Sequence, residues 1–204
     1  MGTMARRRSD AEVDPRRRIL EAAEGVLRRH GPAKTTVVEV ARVLGQTHAS
    51  VYKHFDSKAA LFDALIEAFL AKVVAPLEAI AAGDGPAADR LRAWLIRLMR
   101  EKVRKVRDDP EYFAAYQAIV AEARDVADRH VRHLAEMLGE IIASGVAAGE
   151  FRVADPRAAG RAVQNATLRF HHPALLAGGN PPPDEAELEA VVDLLVAGLR
   201  AGVL

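Results

Sequence analysis

The chain has 204 residues, half of them hydrophobic and 28% charged, with 29 Lys and Arg against 28 Asp and Glu and a net charge of +1. That supplies enough apolar material for one or two domains, and the absence of cysteine excludes a disulfide framework or a thiolate metal site. No apolar run approaches the ~20 residues that span a bilayer, and no signal-peptide core follows the N-terminus, so a cytoplasmic protein with no membrane partner is expected.

The charge is unevenly spread. Up to Lys58 there are 12 Lys and Arg against 7 Asp and Glu, while the remainder holds 17 against 21. A basic end suits a polyanion, and the acidic end has a separate job. Residues 1–15 carry Arg6, Arg7 and Arg8 without hydrophobic periodicity and read as a disordered basic arm, with Met1-Gly2-Thr3 as an added leader ahead of Met4. The arginine run suits phosphate or a minor groove, and equally a solvated tail.

A first helix starts at Pro15, buries Ile19, Ala22, Ala23, Val26 and Leu27 on one face, and ends at Gly31-Pro32. Arg16, Arg17 and Arg18 in its first turn oppose the helix dipole, a mild penalty that a nearby polyanion would remove. From Thr35 to Lys58, Val37, Val40, Ala41 and Leu44 recur at helical spacing, and after Gly45-Gln46-Thr47 the pattern resumes with Val51 and Phe55. Thr36 and Thr47 are N-cap residues and Gly45 a C-terminal one, so two short helices joined by a tight turn are predicted. The second, His48 to Phe55, is too short for a core of its own. Its outward set is His48, Ala49, Ser50, Tyr52, Lys53 and His54. In a helix-turn-helix that helix enters the major groove N-terminus first, so His48, Ala49 and Ser50 would face bases while Tyr52, Lys53 and His54 reach the flanking backbone. A helical hairpin with a merely solvated polar face has the same pattern.

The order Thr35-Thr36-Val37, Val40-Ala41, Leu44-Gly45, Thr47, Ser50-Val51-Tyr52-Lys53-His54-Phe55, Ser57-Lys58 and Leu61 resembles the DNA-binding domain of TetR-type transcriptional repressors over about Arg17 to Phe69. The resemblance implies that Thr36 holds a phosphate and that Thr47, His48, Ala49 and Ser50 lie at the bases. It also implies that Tyr52, His54 and Lys58 hold the DNA backbone, with Lys53 at a variable position touching base or phosphate. Gln46 departs from the family, which usually has a small aliphatic residue there to seat the turn. The implied fold is all-α, with a helix-turn-helix domain over 16–57 joined by a connecting helix to an effector-binding and dimerisation domain over 58–204.

The connecting helix is capped by Asp56-Ser57, runs from Lys58 with Leu61, Leu65, Ala68 and Phe69 inward, and is expected to end near Pro76. After the Gly83-Asp84-Gly85-Pro86 loop, Asp89 to Arg107 presents Leu91, Trp94, Leu95, Leu98 and Met99 inward and its Arg and Lys outward. Helices over Glu111–Val126, Asp128–Ala148, Pro156–Leu176 and Asp184–Val203 complete an all-helical pattern. In the last, Leu188, Val191, Val192, Leu194, Leu195, Val196 and Leu199 cover over half the circumference, which calls for a partner. A two-fold homodimer built on the last two helices is expected, and the resemblance implies the same interface. Such a dimer sets its recognition helices about one turn of duplex apart, ~34 to 36 Å, and so predicts a palindromic operator.

The resemblance also implies a pocket for an unidentified small-molecule effector. Candidate lining residues are Trp94, Met99, Phe113, Tyr116, Met137 and Phe170, with Gln117, Asn165 or His171 for polar contacts; any of them also suits an ordinary core. Aromatics at 5% favour an aliphatic or mixed ligand over a large flat one. His130 and His133, three apart, and His171-His172 are not expected to bind metal, since adjacent helical residues point about 100° apart and no cysteine helps. His172 is expected as a helix-end cap and the His130 pair in solvent. No catalytic motif is present and no cofactor is implied. The expected function is a repressor released from DNA by an effector, with repression resting on resemblance; a helical adaptor without an effector, or a helical enzyme, is the alternative.

Overall fold

Asp14 accepts a hydrogen bond from the Arg16 amide at 3.0 Å and opens α1 (Pro15–Lys34). That cap begins what a computed structural model describes for residues 14–121, 123–178, 181 and 183–203, all of whose regular elements are helices. The arginine arm lies outside the described residues. Gly31, at φ 71°, breaks α1 where a stop is expected, and Pro32 starts a final turn. There follow α2 (Val37–Leu44), α3 (His48–Tyr52), α4 (Lys58–Ala81), α5 (Ala87–Asp108), α6 (Pro110–Val120), α7 (Arg124–Ala147), α8 (Pro156–Ala166), α9 (Leu168–His171), α10 (Pro173–Ala177) and α11 (Glu185–Ala201). No helix among the described residues is long and apolar enough to cross a membrane.

Four boundaries differ from the sequence expectation, each for a local reason. α4 runs through Pro76 to Ala81; the proline removes one backbone donor, and the full burial of Val73 and Leu77 on either side offsets the loss. α6 ends at Val120 and α7 starts at Arg124, ahead of the break expected at residue 127, in a stretch of sequence with no glycine or proline to mark it. The predicted Pro156–Leu176 helix is three pieces. Thr167 is buried and turns its hydroxyl back onto the Val163 carbonyl at 2.9 Å, at φ −103° and ψ 7°; His172, preceding Pro173, is extended, as a residue before proline prefers. α3 stops at Tyr52, with Lys53 and His54 in a closing turn.

The described residues form two compact units, one taking those up to Ile66 with 114–123, the other Glu67–Phe113 and 124 onward; α4 and α6 contribute to both. The first buries Ile19, Val26, Leu27, Val40, Val51, Phe55 and Leu61. In the second, α5 packs on α7, α9, α10 and α11 around a core that includes Leu91, Trp94, Leu98, Leu138, Ile141, Val192 and Leu199. α7 and α8 approach closely at glycine: a Cβ on Gly160 would lie 2.6 Å from the Gly139 nitrogen and 2.7 Å from the Ala135 oxygen. α5 has no side-chain cap of its own. The Glu150 carboxylate accepts from the Ala87 amide at 2.8 Å instead, a partner from 63 residues away that also suits the positive end of the helix dipole.

Candidate nucleic-acid interface and effector-binding region

Local backbone chemistry builds the hairpin. Thr36 is extended, and its hydroxyl accepts from the Glu39 amide at 3.1 Å. At the other end of α2, Gly45 is left-handed at φ 64°, with its own amide on Arg42 at 3.2 Å and that of Gln46 on Ala41 at 2.9 Å; that paired closure reverses the chain. Thr47 then caps α3 through the Ser50 amide at 3.3 Å. Because Val51 and Phe55 are driven inside, the opposite surface of α3 and its closing turn must face out. His48, Ala49, Tyr52, Lys53 and His54 are exposed and Ser50 is half-buried.

Two cations of this surface lie on aromatic rings, the Arg16 guanidinium 4.9 Å from the Phe55 centroid and the Lys58 ammonium 4.9 Å from that of Phe62. Such stacking holds long side chains near one place without neutralising them. Lys53 makes no ion pair among the described residues. Arg42 is committed to Glu39 at 2.6 Å, and the bond from Arg42 holds the Glu39 carboxyl below its usual range. Gln46, the departure from the family pattern, accepts a hydrogen bond from the Ser50 hydroxyl at 3.3 Å. Its polar side chain therefore bears on a residue of the outward set rather than seating the turn.

The residues expected to line an effector pocket are distributed over both units. Trp94, Met99, Phe113, Met137, Phe170 and His171 are buried in the second unit; Tyr116 and Gln117, the former buried and the latter half-buried, belong to the first. Asn165 is exposed, which removes it from the interior. His130 does not face solvent as expected: its Nε2 is buried without a partner, and burial, then the nearby Lys102 charge, pushes it down to about 3. His171 places Nε2 3.3 Å from the Thr167 hydroxyl and is pushed down to about 4, again first by burial and then by Lys102. His133 meets Glu78 at 3.2 Å. His172 is exposed and caps nothing with its side chain. No group of three or more metal-ligating side chains occurs among the described residues.

Lys102 itself, expected on the outer side of α5, is buried, and burial pushes it down to about 8. The signal was spacing: 94, 98 and 102 recur every four residues on one helical face. On the side of α5 away from Lys102, Arg100, Val103, Arg104 and Arg107, with Met99 and Pro183, line an open groove of ≈ 280 Å³.

Comparison with known proteins agrees with this division. Residues 19–65 match the sequence model described as bacterial regulatory proteins of the tetR family. Residues 87–192, half of the chain, match that of the tetracyclin repressor-like C-terminal domain. The HTH-type transcriptional regulator TtgR of Pseudomonas putida is 38% identical over 64 residues, 31% of this chain and 30% of that protein. The nucleoid occlusion factor SlmA of a Marinomonas species is 37% identical over 59 residues, 29% of this chain and 30% of that one. Both matches thus span under a third of the relative's length. In fold, the chain is similar to a TetR/AcrR-family regulator from Thermobifida fusca (TM-score 0.61, 24% identity, covering 92% of this chain and 99% of that one). It is also similar to SmeT of Stenotrophomonas maltophilia (TM-score 0.65, 22% identity, covering 90% and 89%). With the helix-turn-helix region and, beyond it, half of the chain matched, the chain belongs to the TetR family of bacterial regulatory proteins.

Proposed function

We propose that the chain is a homodimeric repressor that holds a palindromic operator and is released from it by a small-molecule effector. The observation that carries the reading is the outward surface of the hairpin, where His48, Ala49, Tyr52, Lys53 and His54 are exposed over a buried Val51 and Phe55. In this reading His48, Ala49 and Ser50, with Thr47, face base edges, while Thr36, Tyr52, His54 and Lys58 hold phosphates and Lys53 reaches either.

Support for a dimer comes from α11. Leu188, Val192, Val196 and Leu199 are buried within one chain, yet Leu194 is 75% exposed amid Ala190 and Ala197, an apolar strip suited to a second copy. Support for an effector comes from relatives: SmeT is the repressor of a multidrug efflux pump and is known in complex with triclosan. The effector would act through α4, which contributes residues to both units, by changing the separation of the two heads. Its coupling is limited to its own preference between the two states, commonly ~1 to 3 kcal/mol.

Selection of bound sequences from a random duplex pool, followed by titration at several salt concentrations, tests the reading. Tyr52→Phe and Lys58→Ala are expected to weaken binding across sequences, and Lys58→Ala to make the salt slope shallower by about one. His48→Ala is expected to change which bases are preferred; a uniform loss with unchanged preference refutes its role, and indifference of the protein to duplex at low salt refutes the whole reading.

A further inference from the structure

The second unit contains a buried cation with no acid to hold it. Lys102 sits on the interior face of α5, below a tenth exposed, and makes no hydrogen bond or ion pair among the described residues. Its neighbour Glu101 is buried too, but that carboxylate is taken by Arg97 at 2.8 Å and Arg104 at 2.6 Å. The groups that do feel the Lys102 charge are His130 on α7 and His171 on α9, two helices that pack on α5. Both imidazoles are neutral at physiological pH, so neither opposes the ammonium nor compensates it. His130 Nε2 is enclosed with no partner. A cation with no acid beside it and an orphaned ring nitrogen are each costly in a protein interior, and an anion that accepted a hydrogen bond from both would offset that cost.

We propose that Lys102, His130 and His171 seat the head group of a monoanionic carboxylate, and that the effector is such a carboxylate with an apolar body. This rests on the reading of the chain as effector-responsive. One formal cation balances one negative charge; a phosphate dianion in the same place would leave a net charge buried. The apolar body follows from the helices that carry the head-group residues: Leu98, Met99, Leu134, Met137 and Phe170, on the same three helices, are buried in one core cluster. The open groove on α5 is not that seat: Arg100, Val103, Arg104 and Arg107, which line it, lie on the side of the helix away from Lys102, and its arginines are engaged, Arg100 with Glu185, Arg104 with Glu101 and Arg107 with Asp108.

Trp94 is the sole tryptophan and lies two turns from Lys102 on the same face of α5, so its fluorescence reports on the site. The full-length protein without DNA is titrated with hexanoate, decanoate and phenylacetate, and with decanol and decyl phosphate as the neutral and dianionic counterparts of decanoate. At least one carboxylate is expected to bind and raise the melting temperature, with decanoate at least tenfold tighter than decanol or decyl phosphate. Lys102→Met is expected to weaken carboxylate binding at least tenfold, and Lys102→Arg to retain most of it. Carboxylates that bind wild type and Lys102→Met alike, or a failure of all three to bind, overturn the assignment. If Lys102→Met folds poorly, the comparison of decanoate with decanol and decyl phosphate on the wild-type protein decides. Release of operator DNA is then scored separately. Carboxylates that bind through Lys102 but leave DNA bound uphold the site and refute the effector reading. A neutral compound that releases DNA equally from wild type and Lys102→Met refutes the site and upholds that reading.

Discussion

In the hairpin, His48, Lys53, His54 and Lys58 keep their polar ends in solvent, whereas Lys102, His130 and His171 carry theirs into the interior of the second unit. The side chains are of the same kinds, and their placement sets what each does before any partner arrives. An exposed cation remains hydrated and costs the fold nothing, so an outward surface of cations and imidazoles can wait for a polyanion indefinitely. A buried one has lost most of its water, which is a standing cost that a bound partner can offset. In the first unit the free energy of folding comes from one side of a helix and the proposed recognition from the other, with almost no overlap. In the second, fold and proposed ligand share the same interior.

The sharpest way to break that contrast is at Phe55 and Tyr52, three residues apart. Phe55 is buried and carries Arg16 on its ring, so Phe55→Ala is expected to destabilise the first unit by about 3–5 kcal/mol, measured by urea denaturation. Tyr52, half-exposed, lacks that role, and Tyr52→Phe is expected to leave the denaturation midpoint within experimental scatter while weakening DNA. If both variants lost stability to a similar extent, the outward surface would be structural and the separation of roles false.

Acid tests the other side. In the unfolded chain His130 and His171 take a proton near their ordinary value, about 6.5, but in the fold burial and Lys102 hold them down to about 3 and about 4. As pH falls below 6.5 the unfolded state therefore binds protons that the native state refuses. Stability from these groups is fully present above that value and is lost progressively toward the folded values, by as much as roughly 1.4 kcal/mol per pH unit for each imidazole. Melting temperature against pH is expected to fall from pH 7 to pH 5, and His171→Phe to flatten the decline. An unchanged slope in that variant would mean that the imidazole is not enclosed.

How legible each region was follows from the same contrast. The hairpin could be read residue by residue because its signals are local: Thr36 and Thr47 cap, Gly45 reverses the chain, and Val51 and Phe55 point in. The breaks after Val120 and at Thr167 left no such mark, since alanines and a lone threonine look like helix interior. Lys102 was misplaced because a lysine weighs toward solvent by type, although its spacing from Trp94 and Leu98 put it on the buried face. The proposed pocket was legible least of all. Core and ligand site draw on the same Trp, Met and Phe, and only burial without a partner, at Lys102 and at His130 Nε2, tells them apart.

The smallest expected effect, at Gln46, bears most directly on how the outward surface is tuned. Its Oε1 holds the Ser50 hydroxyl at 3.3 Å across one turn of chain, in a partly buried setting. A bond that long contributes at the low end, about 0.5 kcal/mol, so Gln46→Ala should barely move the melting curve. What it changes is freedom: without its acceptor, the Ser50 hydroxyl is no longer fixed in direction and can donate to, or accept from, whichever base edge it meets. Operator preference is then expected to broaden at the base pair nearest Ser50 while affinity for the best sequence and the salt slope stay within about twofold, since phosphate contacts dominate both. A panel of single base-pair changes, titrated with wild type and Gln46→Ala, measures this. Uniform weakening with a shallower salt slope would instead assign Gln46 a phosphate contact of its own, and an unaltered panel would mean that the bond to Ser50 has no part in reading sequence.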